Sequence, residues 1–173
     1  IVTIFNTFMV KSKQPTAKPT DIVIDEGKAV QHLSQAITFK TVSYQDRSKF
    51  DFTEFAKFIA FLEESYPGVH DKLELEKINE YALIFKWKGT DSSKNPIGLT
   101  SHYDVVPVLE GTEENWEQPA FSGAIVNDNI WGRGTLDDKV GVMGILEAVE
   151  FLLNDGFKPT RDVYIMFGFD EEI

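Results

Sequence analysis

The spacing of apolar side chains predicts three helices along the chain. An amphipathic pattern covers residues 29–37, and a stronger one covers residues 52–62 before a break at residues 66–68. A third and longer pattern covers residues 142–153 and stops at residues 154–156. Because both breaks contain glycine, and the first also contains proline, we expect the helices to end there.

Shorter apolar runs between these helices predict β-strands over residues 73–78, 81–87, 97–100 and 163–169. The last run is apolar at nearly every position, which is typical of a strand buried on both faces of a sheet. Asn127-Asp128 lies between the short apolar runs 124–126 and 130–131 and predicts a two-residue β-hairpin. Helices interleaved with strands in this way indicate an α/β layer fold.

The first 24 residues differ in composition from the rest. Residues 1–10 are mostly apolar, whereas residues 11–24 carry two prolines and three lysines, which is typical of a linker. The apolar segment is either the remnant of a membrane anchor or signal segment, or an edge strand. We favour the anchor, because polar and apolar side chains do not alternate along it. Localisation stays open between a membrane-anchored protein and a secreted or vacuolar one.

The charge and composition exclude several kinds of partner. The chain has 17 basic and 28 acidic residues and a net charge of −11, so it would repel a nucleic-acid backbone. It contains no cysteine. Any transition metal would therefore be held by histidine and carboxylate side chains rather than by thiolates.

Three polar clusters each follow an apolar run. They cover residues 101–104, 132–139 and 170–172. In open α/β sheets, ligands bind beyond the carboxyl ends of the strands, so clusters that are distant in sequence can meet in one crevice. We therefore expect the three clusters to converge.

Each cluster alone has an ordinary explanation, and only their convergence favours a metal site. His102 can offer a ring nitrogen to a metal while Asp104 orients the imidazole. Asp137 is placed to bridge two cations. In Glu171-Glu172, one carboxylate can bind a metal while its neighbour moves a proton.

The stretches SHYDVVP (101–107), WEQPAFSGAIVNDNIWGRGTLDDK (116–139) and FGFDEE (167–172) resemble the zinc metallopeptidase family of carboxypeptidase S, aminoacylase, glutamate carboxypeptidase and acetylornithine deacetylase. The carboxypeptidase S branch and its N-acyl amino-acid hydrolase relatives are the most similar. The resemblance covers residues 25–173 and implies the N-terminal part of a catalytic domain, with a zinc aminopeptidase-like three-layer fold around a mixed sheet.

The resemblance also implies a role for each polar side chain. His102 would bind one zinc ion, Glu172 would bind a second, and Asp137 would bridge the two. Glu171 would be the general base, and Asp104 would support His102. The peptide bond that follows the bridging residue is commonly cis in this family.

Further parts of the implied site lie outside this sequence. The family supplies another acidic ligand, a late histidine and an inserted domain that forms dimers. The chain starts at Ile1 and ends directly after an apolar run, so we interpret it as a piece of a longer protein. We therefore expect this chain alone to bind zinc poorly and to be inactive, and the parent protein to be a homodimer.

The resulting hypothesis is a zinc-dependent hydrolase of peptide or N-acyl amino-acid amide bonds. A zinc-activated water would attack the amide carbonyl, with Glu171 as the base. The alternative is a noncatalytic metal-binding or interaction module that keeps the same fold. The substrate side chain and acyl group stay undetermined.

Overall fold

The computed structural model describes residues 2–11 and 22–173, so most of the predicted linker, residues 12–21, lies outside the described residues. Its helices are α1 (Val2–Met9), α2 (Glu26–Thr38), α3 (Phe52–Ser65), α4 (Pro67–Lys72) and α5 (Val140–Asn154). Its strands are β1 (Glu74–Ile78), β2 (Ala82–Trp87), β3 (Ile97–His102), β4 (Ile125–Val126), β5 (Asn129–Ile130) and β6 (Val163–Gly168). All three predicted helices are therefore present.

Aspartate side chains fix the starts of the first two of these predicted helices. The carboxylate of Asp25 accepts a hydrogen bond of 3.0 Å from the backbone N–H of Lys28 at the start of α2. The carboxylate of Asp51 accepts one of 3.1 Å from the N–H of Thr53 at the start of α3. Each contact satisfies an N–H that the helix leaves unpaired.

The short helix α4 was missed by the apolar pattern. The predicted break ends α3 at Ser65, but a new helix begins at Pro67, whose fixed φ suits a first helical position. Glu150 of α5 accepts hydrogen bonds from the N–H groups of Gly68 and Val69, at 3.1 and 2.9 Å. A side chain 82 residues away in sequence thus caps α4, which local spacing cannot reveal.

Four strands form one mixed sheet in the order β1-β2-β6-β3. The strand β2 runs antiparallel to β1 and β6, whereas β3 runs parallel to β6. The parallel pair is in register from Ile97↔Val163 to His102↔Gly168. The chain therefore leaves both strands at the same edge of the sheet.

One face of the sheet packs against the helices. Val163, Ile165 and Phe167 of β6 belong to a single core together with buried side chains of α3, α4 and α5. Met166 points to the other face and is 36% exposed. The prediction of a strand buried on both faces is therefore wrong for this structure, because the core cluster covers one face only.

The predicted hairpin is confirmed. Asn127 and Asp128 have positive φ angles of 51° and 60° between β4 and β5. Positive φ at both central residues is the geometry of a type I′ turn, which matches the twist of the flanking strands.

The apolar segment at the N-terminus is helical rather than extended. The helix α1 has no buried residue, and Phe5 and Phe8 are largely exposed. The alternative of an edge strand is therefore wrong. Within residues 2–11 and 22–173, no helix combines the length and the apolar character needed to cross a membrane.

A close backbone approach joins α2 to the loop before β4. Gly123 has a φ of 60°, and a Cβ at this position would overlap the backbone oxygen of Ser34. The Ser34 hydroxyl donates a hydrogen bond of 2.6 Å to the carbonyl of Gly123. Glycine is therefore needed here both for its backbone conformation and for space.

We predict that Gly123→Ala lowers the free energy of unfolding more than Gly111→Ala does. Both glycines have positive φ, but a Cβ at Gly111 meets no atom within 4 Å. The left-handed conformation costs either variant about 1–2 kcal/mol, and the overlap at Gly123 adds about 1–3 kcal/mol. Urea denaturation of both variants measures the difference, and equal losses would contradict the prediction.

Candidate metal centre

The three polar clusters converge at one edge of the sheet. His102 is the last residue of β3, and Glu171 and Glu172 follow the end of β6. Asp137 lies in the turn Thr135–Lys139, which leads into α5. One ligand atom from each of His102, Asp137 and Glu172 lies within 4.8 Å of the other two. The parallel pairing of β3 with β6 explains how residues 70 apart in sequence meet.

The imidazole of His102 is held with Nε2 directed into the cluster. Its Nδ1 lies 3.2 Å from the backbone oxygen of Asp104. A carbonyl oxygen can only accept a hydrogen bond, so Nδ1 carries the proton. The other nitrogen, Nε2, lies 3.0 Å from Oδ1 of Asp137. The imidazole held in this way directs Nε2 toward the carboxylates.

Asp104 connects the two strand ends. Its side chain is fully buried, and its carboxylate accepts hydrogen bonds from the N–H groups of Glu171 and Glu172, at 3.2 and 3.1 Å. Its Oδ1 also lies 3.3 Å from Nδ1 of His102. The expected contact with His102 is present, and the second contact, to the Glu171-Glu172 backbone, was not anticipated from the sequence.

The surroundings favour the protonated form of two side chains in the cluster. Partial burial lowers the pKa of His102, but the charge of Asp104 and the hydrogen bond to Asp137 outweigh it and raise the pKa. Partial burial, followed by the charge of Asp137, raises the pKa of Glu172. Neighbouring carboxylates contribute to both shifts, because they favour a positive charge on His102 and disfavour a further negative charge on Glu172.

The turn that carries Asp137 is built differently from a helix start. The Asp137-Asp138 peptide is cis, as the resemblance implied. Asp138 does not cap α5 through its side chain; its carboxylate instead accepts a hydrogen bond of 2.6 Å from the hydroxyl of Ser101. A Cβ at Gly141 would lie 2.6 Å from that hydroxyl oxygen. The side chain of Asp137 is 78% exposed and free to face the cluster.

Glu171 stands beside the cluster. Its Oε2 lies 3.7 Å from Nε2 of His102, and its side chain is 63% exposed. It is not among the side chains whose ligand atoms converge. A carboxylate that is close to the cluster and open to solvent is suited to exchanging protons.

The donor set fits a divalent cation. One imidazole nitrogen and two carboxylates are ligands that zinc accepts. In the part of the chain that the structure describes, no Lys or Arg forms an ion pair with Asp137, Glu171 or Glu172. The negative charge gathered here is thus balanced only by His102, which leaves a place for a metal ion.

Arg133 lies in the second polar cluster, where its guanidinium could form an ion pair with nearby acids or bind a substrate carboxylate. Its guanidinium lies over the ring of Trp116, 5.4 Å from the centroid. Its Nε is buried without a hydrogen-bond partner, and no carboxylate of the described residues lies within ion-pairing distance. The ion pair is therefore absent, and the contact with Trp116 takes its place.

Sequence reasoning missed the side chains that hold the cluster from outside. Neither Ser101 nor Lys139 belongs to a motif that would identify it as important. One feature could have drawn attention to Lys139: it directly precedes an apolar helix whose first turn contains no acidic partner. Lys139 is fully buried, and its Nζ donates hydrogen bonds to the backbone oxygens of Ala36 and Phe39. Burial lowers the pKa of Lys139 to about 7.

Known proteins resemble this chain in sequence. A profile of peptidase family M20/M25/M40 matches residues 98–173. Probable carboxypeptidase S-like 2 of Dictyostelium discoideum is 44% identical over 182 residues, covering 100% of this chain and 35% of the relative. Carboxypeptidase S of Saccharomyces cerevisiae is 38% identical, with coverages of 83% and 26%. Human N-fatty-acyl-amino acid synthase/hydrolase PM20D1 is 39% identical, with coverages of 81% and 28%. The chain thus spans 26–35% of the length of these relatives.

Solved structures resemble it in fold. Human carnosine dipeptidase 1 superposes with a TM-score of 0.68 at 18% identity, over 84% of this chain and 32% of that one. The M20 family metallo-carboxypeptidase Sso-CP2 from Sulfolobus solfataricus superposes with a TM-score of 0.64 at 23% identity, over 86% and 32%. At such identities the likeness shows the fold alone, and the expected α/β fold with a mixed sheet is confirmed.

We predict that Asp104→Asn weakens the binding of a divalent metal ion by about 10- to 100-fold, the usual effect of removing a residue that orients a ligand. The carboxylate accepts one N–H from Glu171 and one from Glu172, and the amide replaces one of these two acceptor oxygens with an NH2 donor. Competition with a chelator measures the affinity. Asp162→Asn is the matched control, since this carboxylate also accepts a backbone N–H, from Gly89, outside the cluster. Equal affinity in the Asp104 variant and the wild type would contradict the prediction.

Proposed function

This chain belongs to peptidase family M20/M25/M40, and from that premise we propose that the protein is a metal-dependent hydrolase of peptide or N-acyl amino-acid amide bonds. The observation that carries the proposal is the convergence of His102, Asp137 and Glu172 within 4.8 Å, beside a solvent-exposed Glu171. Metal-assisted hydrolysis of an amide uses a ligand cluster for the metal and a separate proton carrier, and side chains suited to both tasks lie together here.

The metal in this proposal is zinc, two ions in each complete site. His102 would hold one ion, Glu172 the other, and Asp137 would contact both. Zinc bound there would supply a Lewis acid that polarises the amide carbonyl and makes water more acidic. Asp104 keeps the Nδ1 proton of His102 in place, so that Nε2 is available as a ligand.

Glu171 is the proposed general base. Its carboxylate is near Nε2 of His102 but outside the ligand set, so it can take a proton from the attacking water. The same carboxylate would then give that proton to the leaving amine nitrogen as the carbon–nitrogen bond breaks. Asp104 fixes the backbone of Glu171 and thus the direction of its side chain.

The names of the relatives suggest the substrate class. A carboxypeptidase and an N-fatty-acyl-amino acid hydrolase both act on an amide whose amine side is an amino acid with a free carboxylate. We propose that this protein cleaves an amide of that kind. The acyl side would be either a peptide or a fatty-acyl chain.

We predict that Glu171→Gln lowers kcat by about 100- to 10,000-fold, the usual contribution of a general base. Its metal content should equal that of the wild type, since Glu171 lies outside the ligand set. Hydrolysis of N-acyl amino acids and of peptides with a free C-terminus, together with atomic emission spectroscopy, measures the two quantities. Glu63→Gln, on the exposed side of α3, is the control and should keep full turnover.

Two outcomes would contradict this proposal. If Glu171→Gln kept wild-type turnover, another group would be the base. If the wild-type protein bound metal but hydrolysed neither substrate class, the alternative of a noncatalytic metal-binding module would hold instead.

A separate prediction concerns the 173 residues by themselves. They supply a histidine and two carboxylates within reach of one another, which is fewer ligands than two zinc ions in a closed site require. We expect weak zinc binding and no turnover from this stretch alone. Calorimetric titration with zinc chloride tests this, and tight binding of two ions with amidase activity would refute it.

A further inference from the structure

We propose that Lys139 is a positioning residue for the metal centre. Its ammonium group is hydrogen-bonded to the backbone of residues 39–43, the 39–43 segment, and so positions the turn that carries Asp137. The same 39–43 segment is hydrogen-bonded to the loop that carries His102 and Asp104. The inference rests on the proposed metal site. It assigns a task to a side chain that neither faces the cluster nor forms part of the proposed chemistry.

The surroundings of Lys139 show a fixed position. Its Nζ donates hydrogen bonds of 2.9 Å to the backbone oxygen of Ala36 and of 2.7 Å to that of Phe39. Nζ also lies 5.0 Å from the centroid of the Phe58 ring. Within residues 2–11 and 22–173, no other Lys or Arg is buried.

These acceptors lie where a cation is favoured. Ala36 is in the last turn of α2, and Phe39 directly follows that helix. Backbone oxygens at a helix C-terminus have no partner within the helix and carry partial negative charge. The ammonium of Lys139 satisfies them in a place that solvent does not reach, which fixes the turn 137–139 against the end of α2.

The 39–43 segment is also hydrogen-bonded to the loop that follows His102 and contains Asp104. The Thr41 hydroxyl donates a hydrogen bond of 2.5 Å to the backbone oxygen of Tyr103. The N–H of Val105 donates to the oxygen of Thr41 at 3.0 Å, and the N–H of Ser43 donates to the oxygen of Val105 at 3.1 Å. Residues on both sides of Asp104 are therefore bonded to this segment.

Together, the hydrogen bonds of Lys139 and those of Thr41 and Ser43 connect the Asp137 turn to the loop that follows His102. Lys139 is two residues from Asp137, and Tyr103 is one residue from His102. The 39–43 segment lies between them and bonds to both. The separation of the His102 and Asp137 side chains, which is 3.0 Å from Nε2 to Oδ1, thus depends on a segment that carries no ligand itself.

The test uses the protein loaded with cobalt(II), whose visible spectrum reports ligand geometry without any turnover. Lys139→Met keeps the length of the side chain and removes its hydrogen bonds. We expect cobalt and zinc affinities to fall by about 10- to 100-fold, as for other residues that orient ligands, and the cobalt spectrum to change. Thr41→Val removes the bond to Tyr103 at the other end of the connection, and we expect a change of the same kind.

Ser34→Ala is the matched control. It removes a hydrogen bond of 2.6 Å that also ties α2 to a loop, but to Gly123 rather than to a ligand-bearing turn. A melting temperature measured for each metal-free variant separates loss of stability from loss of geometry. We expect Ser34→Ala to lower the melting temperature and to leave the cobalt spectrum unchanged.

The outcomes distinguish this inference from the proposed function. Wild-type affinity and spectrum in Lys139→Met would overturn the inference, as would equal spectral changes in Ser34→Ala. If Lys139→Met does not fold, Thr41→Val decides, and an unchanged spectrum and affinity there would overturn it. A wild-type protein that binds cobalt but hydrolyses no amide would contradict the proposed function and leave this test intact.

Discussion

The buried carboxylate of Asp104 is the group on which the site depends most. An ionised carboxylate in a protein interior is costly unless its oxygens are hydrogen-bonded. Here the N–H groups of Glu171 and Glu172 donate to its two oxygens, and Nδ1 of His102 lies 3.3 Å from Oδ1. Those partners come from the ends of β3 and β6, so Asp104 can be buried at low cost only when the two strands are paired in their observed register. The pairing of β3 with β6 that completes the sheet therefore also brings the side chains of the cluster together.

The second constraint is the excess of negative charge at the same edge. Asp137, Glu171 and Glu172 face a single histidine, and the pKa values of His102 and Glu172 are both raised there. Among the described residues, no lysine or arginine forms an ion pair with these three carboxylates. The one buried lysine among the described residues, Lys139, instead turns away from the cluster to the end of α2. The carboxylates are thus left for a metal ion to neutralise, while the ammonium group of Lys139 supports the site from the end of α2.

Much of this arrangement follows from local patterns in the chain. Apolar spacing determines the helices α2, α3 and α5, because one face of each must be buried against a core. The hairpin at Asn127-Asp128 follows from residues that tolerate positive φ. The three polar clusters are visible because each breaks an apolar run, and their place at strand ends follows from the general geometry of α/β sheets. The residues of the candidate metal cluster could therefore be proposed from the sequence, supported by the resemblance of their motifs.

The remaining features were decided by tertiary contacts between distant residues. Three such features are the cap of α4 by Glu150, the link from Asp104 to the backbone of Glu171 and Glu172, and the contacts of Lys139 with the end of α2. Their hydrogen bonds join residues that are 67 to 103 positions apart. No periodicity or short motif encodes such pairs, since the spacing of a motif reports only what neighbours along the chain can do. The exposure of one face of β6 also depends on tertiary structure, because an apolar strand sequence does not reveal whether another element packs against each of its faces. The sequence by itself therefore determined which side chains can hold a metal, and the tertiary structure decided which residues hold those side chains in place.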